Sequence, residues 1–269
     1  MRLKPQTYID SLTARGEIAL TATQFRQALG LSYSAALNAL SRLCKKKEIV
    51  SPSKGYYLIL TPEFREQGCL PADYFIDSLM HHWQQPYYVC LLSAALYHGA
   101  AHQQPQRFQV MTLNKKTRLS CGHISIEFIQ NSQCAKVPTQ SIKTRTGYMK
   151  ISTPETTAMD MLKYIRQSGG ISRITTVLEE LAETISPKVL ADLAIQSEEQ
   201  TWIHRLGFLF DQLNYPILAN VLYDKIEKGK QPVDIIPLVP YTPITGAPRN
   251  KKWHIAINAT VESDLHDTD

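Results

Sequence analysis

"LSYSAALNALSRLCKKKEIVSPSKGYYLIL", Leu31 to Leu60, is the stretch on which the reading of the fold turns. Ser32 or Ser34 can cap a helix at its start. Ala36, Leu37, Leu40, Leu43 and Cys44 then recur at helical spacing and make an apolar stripe. The opposite face shows Ser34, Asn38, Ser41, Arg42 and Lys45. "EIV" and "GYYLIL" are strand-like runs, joined by the turn-rich tip "SPSK".

The residues before this stretch complete a pattern. Residues 5–15 predict a helix with Tyr8, Ile9 and Leu12 on one face and Gly16 as its stop. "EIAL" at 17–20 reads as a short strand. Thr21 or Thr23 can cap a second helix, "TATQFRQALG", which turns Phe25, Ala28 and Leu29 inward and ends at Gly30. Gly30-Leu31-Ser32 is then a tight turn. Helix, short strand, helix, turn, helix and two-stranded wing is the order of a winged helix-turn-helix, here assigned to residues 1–61.

Charge supports a polyanion partner for this segment. The 269-residue chain has a formal net charge of +5. Residues 1–60 hold nine Lys/Arg against three acids, a net of +6, and the remaining 209 residues come to −1. DNA affinity rests largely on neutralised phosphates, and sequence choice rests on side chains that reach base edges. Ser34, Asn38 and Arg42 follow one another every four residues along one helix face. Asn can pair with adenine and Arg with guanine through two hydrogen bonds. Ser32 and Tyr33 stand at the helix start, and Lys45, Lys46 and Lys54 are placed for phosphates. The plainer alternative is a solvated face with lysines that complement the helix dipole.

After residue 61 the pattern changes. Pro62, Gly68 and Pro71 punctuate 62–74, which reads as a linker. Residues 75–260 form the body. It is mixed over 75–151, with a helix "YFIDSLMHHWQ", an apolar helix from about Val89 to Tyr97, and short strand-like runs over 107–151. It is mainly helical over 152–215, where Thr153 and Pro154 open a helix and Gly169-Gly170 stop it. The prolines after 216 predict an irregular 216–260, and 261–269 reads as a disordered acidic tail. The fold class is therefore α+β, a winged helix-turn-helix followed by a larger mixed body.

Several chemistries are disfavoured. No run of about 18 apolar residues suggests a membrane helix, and "MRLKPQTYIDSLTARG" lacks the apolar core of a signal peptide. Five scattered cysteines without a Cys-x-x-Cys pair favour a reducing cytoplasm over a disulfide framework. His98 and His102 stand four apart, but Gly99 takes the position where a zinc protease needs Glu, so a helix end fits better. Glu155 and Asp160, five apart, align poorly on a helix. There is no phosphate-cradling Gly loop and no Gly-x-Ser-x-Gly. "TWIHRLGFLFDQL" reads as core. No catalytic residue, metal or cofactor is assigned, and the protein is expected not to be an enzyme.

Three stretches, "YYVCLLSAALYHGAAHQQPQRFQVMT" (87–112), "GYMKISTPETTAMDMLKYIRQSGGISRITTVLEELA" (147–182) and "HRLGFLFDQL" (204–213), resemble the body of AbiEi-type antitoxins of type IV toxin–antitoxin systems. An N-terminal winged helix also belongs to that family, so the resemblance covers about residues 5–215. It implies a phage-defence antitoxin that represses its own operon by binding inverted repeats in double-stranded promoter DNA. It also implies a nucleotidyltransferase-type toxin as functional partner. Type IV antitoxins are defined as acting without a stable toxin complex, so direct contact is left open. The rival reading is a stand-alone transcriptional regulator whose body senses a small ligand.

Overall fold

Capping and turn chemistry fix the first sixty residues. The computed structural model describes residues 3–101, 105–228 and 234–261. Helix α1, Pro5–Ala14, starts with proline in its first turn, where the missing N–H costs nothing. Strand β1 is Ala19–Thr21. Thr21 caps α2, Ala22–Leu29, in a reciprocal capping box with Gln24, and Gly30 ends it at φ +60. Helix α3 is Tyr33–Lys45, with the Ser32 hydroxyl accepting from Ala35 N at 3.3 Å. Strands β2, Ile49–Ser53, and β3, Tyr56–Ile59, form the wing, whose tip turns at Gly55. The three strands run in the order β1-β3-β2. This is the winged helix-turn-helix. Its core holds Ile9, Leu12, Phe25, Leu29, Ala36, Leu40 and Leu43. Leu37 and Cys44, expected in the apolar stripe, are only half-buried, and of the two Cys44 packs against this core.

Strand β3 serves two cores because side chains alternate across a strand. Ile59 belongs to the winged-helix cluster, with Tyr57 packed against it. Tyr56, Leu58 and Leu60 point the other way, into a cluster with Phe75, Ile76, Leu79 and Met80 of α4, Ala72–His82. That cluster continues into a six-stranded sheet of order β6-β7-β5-β4-β9-β8. Its strands are β4 Tyr87–Val89, β5 Phe108–Thr112, β6 Leu119–Cys121, β7 Ile124–Gln130, β8 Thr139–Thr144 and β9 Gly147–Ser152. The β4/β5 and β6/β7 pairs are antiparallel, and the β5/β7 and β4/β9 pairs are parallel.

Residues 62–74, read as a linker, are built into this unit. A 3₁₀ turn spans Pro62–Phe64, and Cys69 and Leu70 lie in the α4 cluster. His123 N donates to Gln67 O at 3.1 Å. Gly122 has φ +53, and a Cβ there would stand 2.1 Å from Gln67 O, so only glycine admits this approach. The winged helix and the sheet thus form one compact unit of residues 1–89, 106–136 and 141–151.

The expected helix from Val89 also differs. Tyr87–Val89 is strand β4, buried throughout, and helix α5 runs only from Leu91 to Tyr97. A short apolar run after Pro86 has too little period to separate a buried strand from a buried helix.

The second compact unit comprises residues 90–105, 137–140 and 152–269. It holds α5, α6 Pro154–Lys163, α7 Ile171–Leu181, α8 Pro187–Gln196, α9 Thr201–Gln212 and α10 Pro216–Lys228. Thr153 caps α6 as expected, but the helix ends at Lys163 and turns precede Gly169-Gly170. The segment 216–260, expected to be irregular, opens with α10. Pro216 sits in the first turn of that helix and starts it rather than breaking it. A small sheet of order β10-β12-β11 follows, made of Ile236–Pro237, Ile255–Ala256 and Arg249–Asn250. The tail 262–269 lies outside the described residues.

Helix α9 holds this late segment in place. Trp202 to Phe210 are all buried. His204 Nδ1 donates to Trp253 O at 2.8 Å. Trp253 Nε1 donates to Asp211 Oδ2 at 2.6 Å, and Arg205 Nε to Pro237 O at 3.1 Å. Gly207 faces the Trp253 ring so closely that a Cβ would meet it at 2.0 Å. Gly207→Ala should therefore displace a fully buried tryptophan and cost on the order of 1–3 kcal/mol, read as a lowered thermal or urea midpoint. Burial, with the His254 and Arg205 charges, holds His204 below its ordinary 6.5. The unfolded chain takes up that proton first, so this contribution is complete above about pH 6.5 and is lost as pH falls below it. The acid-side fall in the unfolding midpoint should be shallower in His204→Gln than in the parent.

Candidate nucleic-acid interface

Helix α3 presents its polar face to solvent. Ser34, Asn38 and Arg42 are all exposed, and Tyr33 at the first helical position keeps 63% of its surface. An aromatic side chain left that open at a helix start has no role in the core. Ser32 is also exposed, but its hydroxyl is engaged as the cap of α3 and lies 3.4 Å from Ser34 Oγ. Its contribution is to fix where the helix begins. Lys45 closes the last turn, Lys46 is the C-cap, and Lys47 takes the left-handed conformation at φ 55 that turns the chain into β2. Lys54 is exposed at the wing tip.

The expected site residues thus fall on two neighbouring devices. Ser32, Tyr33, Ser34, Asn38, Arg42, Lys45 and Lys46 belong to α3 and its caps, and Lys54 belongs to the wing. Among the described residues, Arg42, Lys45, Lys46 and Lys54 have no ion-pair partner. Two of the three acids in this segment are engaged elsewhere: Glu17 is 2.8 Å from Arg15, and Asp10 accepts from Gln6.

The structural division redistributes the charge. The first unit holds 18 Lys/Arg against 8 Asp/Glu, net +10, and the second holds 11 against 16, net −5. The near-neutrality of residues 61–269 is therefore a cancellation. Beyond residue 60 the first unit carries a net +4, and the second a net −5 that includes the four acids of residues 262–269, so a linear count averages them out.

Other candidates resolve into structural roles. His98 is the C-cap of α5, with Nε2 2.9 Å from Ser152 O, and burial lowers its pKa. His102 lies outside the described residues. Glu155 Oε1 accepts from Ser186 N at 2.8 Å and so tethers the start of α8. Among the described residues no three His, Cys, Asp or Glu side chains are grouped to hold a metal ion. Sequence reasoning treated "TWIHRLGFLFDQL" as apolar core and missed its polar members. A His-Arg pair inside an otherwise apolar helix was the available signal, since buried charged groups require partners.

Comparison with known proteins agrees with the resemblance read from the sequence. Residues 87–212 match the family model of the AbiEi antitoxin C-terminal domain. This gives the chain an antitoxin role in a toxin–antitoxin system. No curated protein matches. The crystal structure of the RV2827C protein from Mycobacterium tuberculosis is similar in fold, with a TM-score of 0.66 and 16% identity over 92% of this chain and 89% of that one.

Because Asn38 and Arg42 touch solvent rather than core, Asn38→Ala and Arg42→Ala should each change stability by no more than about 0.5 kcal/mol. Ser32→Ala removes a helix cap and should cost about 1 kcal/mol. Urea denaturation of the three variants separates the two classes.

Proposed function

With residues 87–212 forming an AbiEi antitoxin C-terminal domain, we propose that the protein is a non-enzymatic type IV antitoxin and autorepressor. Its winged helix binds inverted repeats in its own promoter, and its body counters a nucleotidyltransferase-type toxin. The observation that carries the DNA-binding half is the exposed face of α3, with Asn38 and Arg42 open to solvent and Lys45 and Lys46 at its end. Asn38 and Arg42 read base edges in the major groove, while Lys45, Lys46 and Lys54 engage phosphates. Tyr33 and Ser34 stand at the helix start, where groove-entering helices make their first contacts. An inverted repeat requires two copies of the first unit on one duplex, loaded as a dimer or as cooperating monomers.

Two roles on one chain make a separation-of-function test possible. It is best made in the full chain, because Tyr56, Leu58 and Leu60 of the wing segment belong to the core of the body sheet. Arg42→Ala/Lys45→Ala/Lys46→Ala should abolish promoter binding at physiological salt. In dilute salt, the remaining binding should show a log–log salt slope shallower by about 3. The same variant, supplied from a heterologous promoter, should still protect cells that express the neighbouring toxin gene. Intact promoter binding by the triple variant would refute the assignment of α3. A neighbouring gene that is not toxic, or toxicity that the full chain does not relieve, would refute the assigned toxin.

A further inference from the structure

The wing does not end in solvent. Ser53, next to its tip, accepts from Trp83 Nε1 at 3.0 Å. The Trp83 ring in turn carries Lys116 on its face, with Nζ 4.8 Å from the centroid. Lys116 belongs to the loop "NKKT" between β5 and β6, and β6 runs beside wing strand β2. The loop is tied down. Thr112 Oγ1 donates to Asn114 O, and Asn114 Nδ2 donates to Gln85 Oε1, both at 2.9 Å. Arg118 is oriented by its Nε–Ser125 Oγ bond at 2.9 Å. Lys115 and Arg118 are exposed, Lys116 is half-buried, and none of the three is in an ion pair among the described residues. The acid on the adjoining strand, Glu127, is already beside Arg107 at 3.9 Å.

We propose that Lys115, Lys116 and Arg118 are a second phosphate-binding element, which continues the wing and holds the DNA backbone beyond the segment contacted by α3. This rests on the reading of the winged helix as DNA-binding and adds a site on the body sheet. The tryptophan is the positioning residue. It joins wing and loop into one surface and holds the Lys116 ammonium against its ring, which lowers the entropy lost when that cation meets a phosphate. Lysines used this way supply affinity without base preference. The contribution therefore depends on duplex length and salt and is blind to sequence.

The experiment compares the full-length protein with Lys115→Ala/Lys116→Ala on two promoter duplexes, one trimmed to the inverted repeats and one with a further helical turn on each side. On the long duplex the double variant should bind roughly 30-fold more weakly at 0.15 M salt, with a salt slope shallower by about 2, as for two lost phosphate contacts. On the trimmed duplex parent and variant should converge, and mismatches in the repeat should penalise both alike. Lys115→Arg/Lys116→Arg should restore binding, which a merely misfolded loop would not do. Parental affinity and slope of the alanine variant on the long duplex would overturn the proposal. If that result accompanies loss of binding in Arg42→Ala/Lys45→Ala/Lys46→Ala, only the loop is refuted. If the triple variant also binds normally, the winged-helix reading itself fails.

Discussion

Strand β3 is the constraint on which the first unit depends. Its side chains alternate between two cores, with Ile59 in the winged-helix cluster and Tyr56, Leu58 and Leu60 against α4 and the six-stranded sheet. A strand apolar on both faces cannot lie at a solvent boundary. The wing is accordingly the inner wall of a larger body rather than the edge of a free domain. Burying these four large apolar side chains is worth several kcal/mol, on the order of 1.5–3 each before entropy. Separating head from body would forfeit most of that.

This fusion gives mechanical meaning to the site. Here the wing is braced from behind, through Trp83 to Ser53 and through the α4 cluster. A braced wing keeps Lys54 at a fixed place relative to α3. Binding geometry set before the encounter loses less entropy on association.

The second unit follows a different logic. Its hub is α9, where apolar burial is supplemented by His204, Arg205 and Asp211, each aimed at the chain that follows α10. These groups satisfy carbonyls and an indole N–H that would otherwise be buried without partners. Among the described residues of this unit, no three His, Cys, Asp or Glu side chains are grouped to hold a metal ion. By sequence the unit's net charge is −5, of which Glu262, Asp264, Asp267 and Asp269 of the tail supply four, against +10 for the unit that carries α3.

Local signals were legible in the sequence wherever the physics is local. The Thr21–Gln24 box, the Gly30 turn, the Ser32 cap, the stripe through Ala36, Leu40 and Leu43, and the exposed Asn38 and Arg42 follow from helical period and capping alone. The family resemblance over the body was legible too. Three things were decided only by tertiary structure. Residues 62–74 look like a linker because Pro and Gly are loop formers, yet Cys69 and Leu70 are buried there by contacts distant in sequence. Pro216 begins a helix because position within a turn, not the residue type, decides whether proline breaks it. Charge was read as a property of the first sixty residues because a linear count cannot see that 106–136 and 141–151 fold back beside them. Sequence determines what each short segment prefers; which segments share a core, and so which charges share a surface, depends on pairings across more than fifty residues that no local period encodes.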